Sequence, residues 1–284
     1  MAFSDLAMKV AAEKSIEAMH AAMAPLKLFA HDYTELDGRK GEAIAVPVIN
    51  LSASGEFDPE TNNYCSGGQV FDGQVVTLDK HFVQSASISD RQLQATSLNW
   101  VGDLAGAQVR QLGRDVNKYV FGLLGGTDVT LTATLDVSTK TAIASLVKTA
   151  ADNDINPADA IVVLGPADYY KVLGTLDANI YGGTEAIRDG VVPGLYGFYG
   201  FVQSTFLPQG VKGAIIRRDS IGLASRYLEP LQEAYADTWR ASDDDMATIG
   251  FRYFARPCSG LRYLAAEVLF GARVLDANGI VKLV

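Results

Sequence analysis

Side chains able to carry chemistry are few in this 284-residue chain, and they stand apart from one another. The three histidines, His20, His31 and His81, form no HxH pair, no HExxH and no helical pair with a carboxylate, the spacings at which ligands converge on a metal ion. Each reads as a polar surface side chain. The two cysteines, Cys65 and Cys258, have no partner at metal spacing. A disulfide between them is not expected in a cytosolic chain. Asp243, Asp244 and Asp245 would attract a cation, but no EF-hand spacing surrounds them, so a solvated acidic turn is expected. Gly194, Gly197 and Gly200 in PGLYGFYG are spaced for turns and open no helix, which argues against a phosphate cradle. There is no GxSxG elbow, no GxxxxGKS/T loop and no GxGxxG after a strand. Lys40 and Lys80 could in principle meet an amide side chain such as Asn278. Nothing in the sequence identifies the buried carboxylate that such chemistry would need. The reading therefore assigns no catalytic, cofactor-binding or metal-binding residue, and weighs against an enzyme.

The elements that would position any site are more informative. From Ile88 to Leu124, apolar residues including Leu93, Val101, Leu104, Leu112, Val116 and Val120 recur at three- and four-residue steps. Ser89 with Gln92 reads as a capping box, and Gly125-Gly126 as a stop. The expectation is one helix of roughly 50 Å. Gly102, Gly106 and Gly113 interrupt its sequence, either for bending or for close packing. Before it, Phe3–Ala24 is helical in pattern, an arm or a first core helix, ending at Pro25. Glu42–Leu51 and Gly73–Gln84 alternate around a turn-rich excursion, and Pro47 marks the first as an edge strand. Such a ribbon is marginal alone and needs a surface, its own chain's or another's.

After the long helix come a short strand at Thr130–Leu135 and a helix capped by Asp136 or Ser138. A buried strand at Ala160–Leu164 and a helix opened by Pro166 follow. Asp177–Gly190 is loop-like by composition, Gly213–Arg217 is a strand, and Asp219 is suited to cap a short helix into Ala224. Met246–Ala255 reads as a long alternating strand, and Asn278-Gly279 between apolar runs as a hairpin. The fold class is α+β with no βαβα rhythm and no repeats.

A net charge of −9 and a pI near 4.8 argue against a dedicated nucleic-acid binder, though not against a wall enclosing nucleic acid without gripping it. No apolar run reaches bilayer-spanning length, and charges at Asp5, Lys9, Glu13, Lys14 and Glu17 exclude a secretory signal.

In its order of parts the chain resembles the major capsid proteins of tailed bacteriophages, whose Hong Kong 97-type fold is shared with encapsulin shells. VTLDKHFVQSASISDRQL resembles the lead-in to the family's spine helix. AIVVLGPADYYKVL resembles its strand, Pro and Tyr-bearing helix, and GLYGFYGFVQSTFLPQGVKGAIIRRDSIGLASR its Gly-rich strand–turn–strand stretch. The resemblance implies an N-terminal arm (1–34), an extended β-loop or E-loop (35–85), a peripheral domain with the spine helix (86–127) and an axial domain (128–242). It implies last a return strand with a C-terminal hairpin (243–284), the return strand packing on the spine. It further implies pentamers and hexamers of an icosahedral shell around double-stranded DNA, bound without sequence specificity. Asp177–Gly190 would lie at capsomer centres, and the partners would be a portal, a separate scaffolding protein and decoration proteins. No cofactor and no membrane is implied; the location is the virion, after synthesis in the host cytoplasm. An encapsulin-type compartment and an oligomeric α+β enzyme remain the alternatives.

Overall fold

The computed structural model describes residues 5–34, 43–49, 71–89, 91–92, 100–175, 192–193, 195–228, 237–242, 248–256 and 260–284. Helix α1 (Asp5–Met23) leads through β1 (Ala30–Asp32) to the strands β2 (Ala43–Ile49), β3 (Phe71–Thr77) and β4 (Lys80–Ser89). The long helix α2 (Trp100–Gly122) follows. A second group comprises β5 (Leu131–Ala133), α3 (Lys140–Asp152), β6 (Ala160–Leu164), α4 (Pro166–Thr175), β7 (Val192–Pro193), β8 (Gly200–Gln203) and β9 (Gly213–Arg217). The chain then returns to the first group with β10 (Ile221–Arg226), β11 (Asp237–Ser242), β12 (Thr248–Arg256) and β13 (Leu261–Val274), and ends in the second with β14 (Ile280–Leu283). Among the described residues no helix is long and apolar enough to cross a membrane.

Strand β13 is the axis of the first sheet. Antiparallel β4 runs along one side of it, from Leu261↔Ser89 to Phe270↔Lys80. On the other side β12 and β10 lie end to end, pairing with Leu261–Glu267 and Leu269–Val274 respectively. The two-residue period of β13 puts Leu264, Ala266, Val268, Phe270, Ala272 and Val274 on one face. All six are buried in one core with Met19 and Met23 of α1 and Val109, Leu112 and Val116 of α2. Full burial of each larger side chain contributes roughly 1.5–3 kcal/mol, so this face holds both helices to the sheet.

The second sheet has the order β5-β14-β9-β6-β8-β7. Its centre is β6, AIVVL, buried at every position as a continuous apolar run predicts. Strands β6 and β8 are parallel, with α4 in the crossover between them. Helix α3 is capped by the Thr139 hydroxyl, which accepts from Ala142 N–H at 3.1 Å. Asp136 instead accepts from Ser138 N–H, closing the turn before the cap.

Several expectations need correction. Ile88 and Ser89 also end β4, opposite Arg262 and Leu261. The capping box exists, with Gln92 N–H donating to Ser89 Oγ and Ser89 N–H to Gln92 Oε1, and residues 91–92 are helical. Residues 93–99 lie outside the described residues, and the described helix starts at Trp100, about 35 Å in 23 residues. The alternation from Gly73 to Gln84 is not one strand, because it passes from β3 in the ribbon to β4 in the sheet. Asp219 caps no helix; it takes a left-handed turn conformation (φ +65°) and β10 follows. Asn278-Gly279 makes no hairpin, since β13 and β14 belong to different sheets and Asp276 caps a short 3₁₀ turn between them. The apolar face of α2 meets α1, β4 and β13 rather than the Met246–Ala255 strand, which forms β12 one place further out.

Candidate functional site

The ribbon formed by β2 and β3 is antiparallel, from Ala43↔Thr77 to Ile49↔Phe71, and neither strand pairs with a third among the described residues. Its period-2 pattern turns Ile44, Val46 and Val76 inward, and with Leu78 they pack on Ala224, Leu275, Leu269 and Tyr33. The ribbon's root therefore lies on the face of the first sheet opposite the helices. Two contacts fix it there. A Cβ on Gly271 would sit 2.0 Å from the Thr77 carbonyl oxygen, so only glycine lets β3 lie this close to β13. Beyond it Arg273 Nη1 donates to the Val75 carbonyl at 3.0 Å.

On the same face, two strand repeats along from Gly271, Glu267 is buried (5% exposed). Its Oε1 accepts from Arg252 Nε at 2.7 Å, and its Oε2 lies 3.3 Å from His81 Nε2. The three side chains come from β13, β12 and β4 and tie those strands across the sheet. The sequence reading missed this carboxylate. Its available signal was a single acid in the apolar run LAAEVLF, at an outward position of the alternation.

The other chemical candidates are dispersed. His20 Nδ1 lies 2.7 Å from Lys27 Nζ, and His31 Nδ1 lies 3.5 Å from Asp219 Oδ1. Lys80 pairs with Asp79 at 2.8 Å and stands 5.3 Å over the Tyr119 ring, on the helix side of the sheet. The hydrogen bond to Asp79 holds its ammonium above the ordinary pKa. Burial raises the Tyr119 hydroxyl, and the nearby Asp79 adds to this. Asn278 lies in the turn closed by Asp276, where its N–H donates to Asp276 Oδ1 at 3.0 Å. A buried carboxylate thus exists, but Glu267 and Lys80 point to opposite faces and Asn278 belongs to another sheet's approach. Gly197 and Tyr196 take positive φ in a turn before β8, which suits the turn reading of that stretch. Lys40, Cys65, Asp177–Gly190, Gly194, Asp243–Asp245 and Cys258 lie outside the described residues. Among the described residues no three His, Cys, Asp or Glu side chains cluster to hold a metal ion.

A groove of about 430 Å³ opens where the end of α1, α2 and the segment after β8 meet, lined by Leu28, Arg114, Asn117, Phe121, Val202 and Phe206 among others. Its lining is largely apolar and carries no acid–base pair.

A family model described as phage capsid protein matches residues 72–283, most of the chain. The chain belongs to the phage capsid protein family. Its fold is the Hong Kong 97-type α+β fold, and solved structures carry the same arrangement. The capsid of cyanophage P-SCSP1u aligns over 90% of this chain and 86% of its own, with a TM-score of 0.61 at 15% identity. A Mycobacterium phage Che8 chain aligns over 86% and 85%, with 0.58 at 14%. The virus-like particle from Pyrococcus furiosus aligns over 96% of both chains, with 0.58 at 11%. No curated protein sequence matches. As a phage capsid protein the chain has a structural role, and the ribbon root, the Glu267 cluster and the exposed side of α2 are the surfaces on which that role must be read.

Proposed function

We propose that this capsid protein is the repeating tile of an icosahedral shell, assembled as pentamers and hexamers around double-stranded DNA. The observation that carries the proposal is the ribbon. Its root is clasped on its own sheet, yet beyond Val46 and Val76 its two strands continue to Ile49 and Phe71 with no third strand among the described residues. A two-stranded ribbon is marginal in water, and a neighbouring copy in a closed shell supplies the missing surface for every copy alike. In this reading the first sheet with α1 and α2 is the peripheral part and the second sheet with α3 and α4 is the axial part. The chain passes between them after α2, between β9 and β10, and between β13 and β14. Helix α1 lies against α2 within its own chain, with Asn117 Nδ2 donating to the Ala22 carbonyl at 2.7 Å, which favours a core helix over a free arm. A separate scaffolding protein, a portal, decoration proteins and assembly in the host cytoplasm complete the proposal.

Expression of the full chain followed by negative-stain electron microscopy tests it. Shells or tubular polyheads are the expected result, and a small discrete oligomer would overturn it. A second reading is an encapsulin-type compartment holding a cargo enzyme, and the shared fold with the virus-like particle from Pyrococcus furiosus is compatible with it. Nucleic acid inside purified shells assigns the first reading; a packed enzyme assigns the second.

A further inference from the structure

The solvent side of α2 carries Arg110, Arg114 and Lys118, one every four residues, all three exposed. They stand in a single row along the helix, about 12 Å from first to last Cα. Other basic side chains of the first sheet and its helices are engaged. Lys14 pairs with Asp103 at 2.7 Å, Lys80 with Asp79, Arg252 with Glu267, and Arg273 with the Val75 carbonyl. Among the described residues none of the three in the row makes an ion pair or a hydrogen bond. The acids beside them do not neutralise them. Asp103 is taken by Lys14, Asp115 receives the Gln111 amide, and Glu13 and Glu17 on the neighbouring helix form no bridge to the row. In a chain of net charge −9 this is a local positive strip that the described residues leave unpaired.

We propose that this row contacts the phosphate backbone of the enclosed DNA, which makes the exposed side of α2 the inner surface of the shell. The inference rests on the capsid reading above. One strand of a duplex carries a phosphate about every 3.4 Å of axis, so 12 Å of helix faces three or four phosphates, close to one per cation. Both arginines present forks that match phosphate geometry. Three contacts per copy give a weak, sequence-independent grip, compatible with packing and release, while the rest of the acidic chain repels the duplex. Among the described residues the opposite side of the sheet is occupied by the ribbon root and by Arg240, Arg252 and Arg273, each hydrogen-bonded within its own chain.

The test uses the full chain as unassembled capsomers and a fluorescein-labelled duplex of about 20 base pairs, read by anisotropy against salt. Three phosphate contacts predict that affinity falls about 40-fold between 50 and 200 mM salt. The triple variant Arg110→Gln, Arg114→Gln, Lys118→Gln should lose most of that salt dependence. A control, Lys140→Gln with Lys148→Gln on α3, should keep it. Equal salt dependence in wild type and triple variant would overturn the proposal, as would an equal loss in the control. Tighter binding of a polyglutamate peptide than of the duplex would assign the row to an acidic protein segment and overturn it too. Electron microscopy of the same triple variant separates the two readings. Shells with unchanged DNA binding refute this inference alone, whereas a wild type that forms no shells refutes the capsid reading.

Discussion

Replacing Gly113 with alanine asks what the glycines of α2 are for. A Cβ built on Gly113 lies 2.4 Å from the Ala22 Cβ of α1, whereas carbon atoms in contact sit about 3.5–4.0 Å apart. Both neighbours are backbone-anchored, so a rotamer change cannot relieve the clash and the helices must separate by about 1 Å. Overpacking of this kind costs about 1–3 kcal/mol. Separation also strains the 2.7 Å bond from Asn117 Nδ2 across to the Ala22 carbonyl, worth about 1 kcal/mol. Against this stands a gain of about 1 kcal/mol in helix propensity. The net expectation is a loss of about 2 kcal/mol. Gly106 and Gly122 behave oppositely. A Cβ at Gly106 meets nothing nearer than 3.9 Å, and one at Gly122 meets nothing within 4 Å. Alanine at either should stabilise by about 0.5–1 kcal/mol. Equilibrium urea unfolding followed by tryptophan fluorescence measures all three. If Gly113→Ala is as stable as wild type, the close-packing account of this glycine is wrong and a bending role regains its place.

Three further outcomes follow from the first sheet and the buried tyrosines. Gly271→Ala should lift β3 off β13, because the Thr77 oxygen occupies the Cβ position, and amide exchange in 71–77 should accelerate at least tenfold while exchange in β6 is unchanged. Glu267→Gln removes the buried negative charge that Arg252 and His81 face and should cost about 3 kcal/mol in thermal unfolding; a neutral result would show that solvent reaches the pair. Burial raises the Tyr169 hydroxyl above its ordinary pKa, with Tyr170 adding to it, so the folded state holds this proton longer than the unfolded chain. The contribution is complete below about pH 10 and is lost as pH rises through the folded value. In an alkaline titration the Tyr169 hydroxyl should ionise above the ordinary tyrosine range, together with unfolding; a Tyr169→Phe comparison that places its ionisation within the ordinary range, before unfolding, would refute it.

Much of this arrangement was legible because period and punctuation agreed. The stripe from Val101 to Val120, the run AIVVL, Pro166 at a helix start and the Pro47 edge strand each follow from local chemistry. What failed was long-range. Ser89 caps the turn at 91–92 as its local pattern predicts, but nothing local shows that it also ends a strand paired over ten residues with β13. Asn278-Gly279 forms its turn, but β9 and β5 claim β14 before β13 can. Glu267 was invisible as a buried acid because its partners, Arg252 and His81, are 15 and 186 residues away.

The ten-residue pairing between β4 and β13 also sets how a tile carries load. A pull on the ribbon reaches β4 through only Leu78 and Asp79, and β4 runs antiparallel along β13 for its whole length. Tension along that direction loads the rungs of the ladder together in shear, where a pull across it would open them one at a time. The Arg252–Glu267–His81 link crosses the same strands and braces them sideways. Under internal pressure a wall of such tiles should part along the seams between copies, leaving fragments in which each first sheet keeps its amide protection.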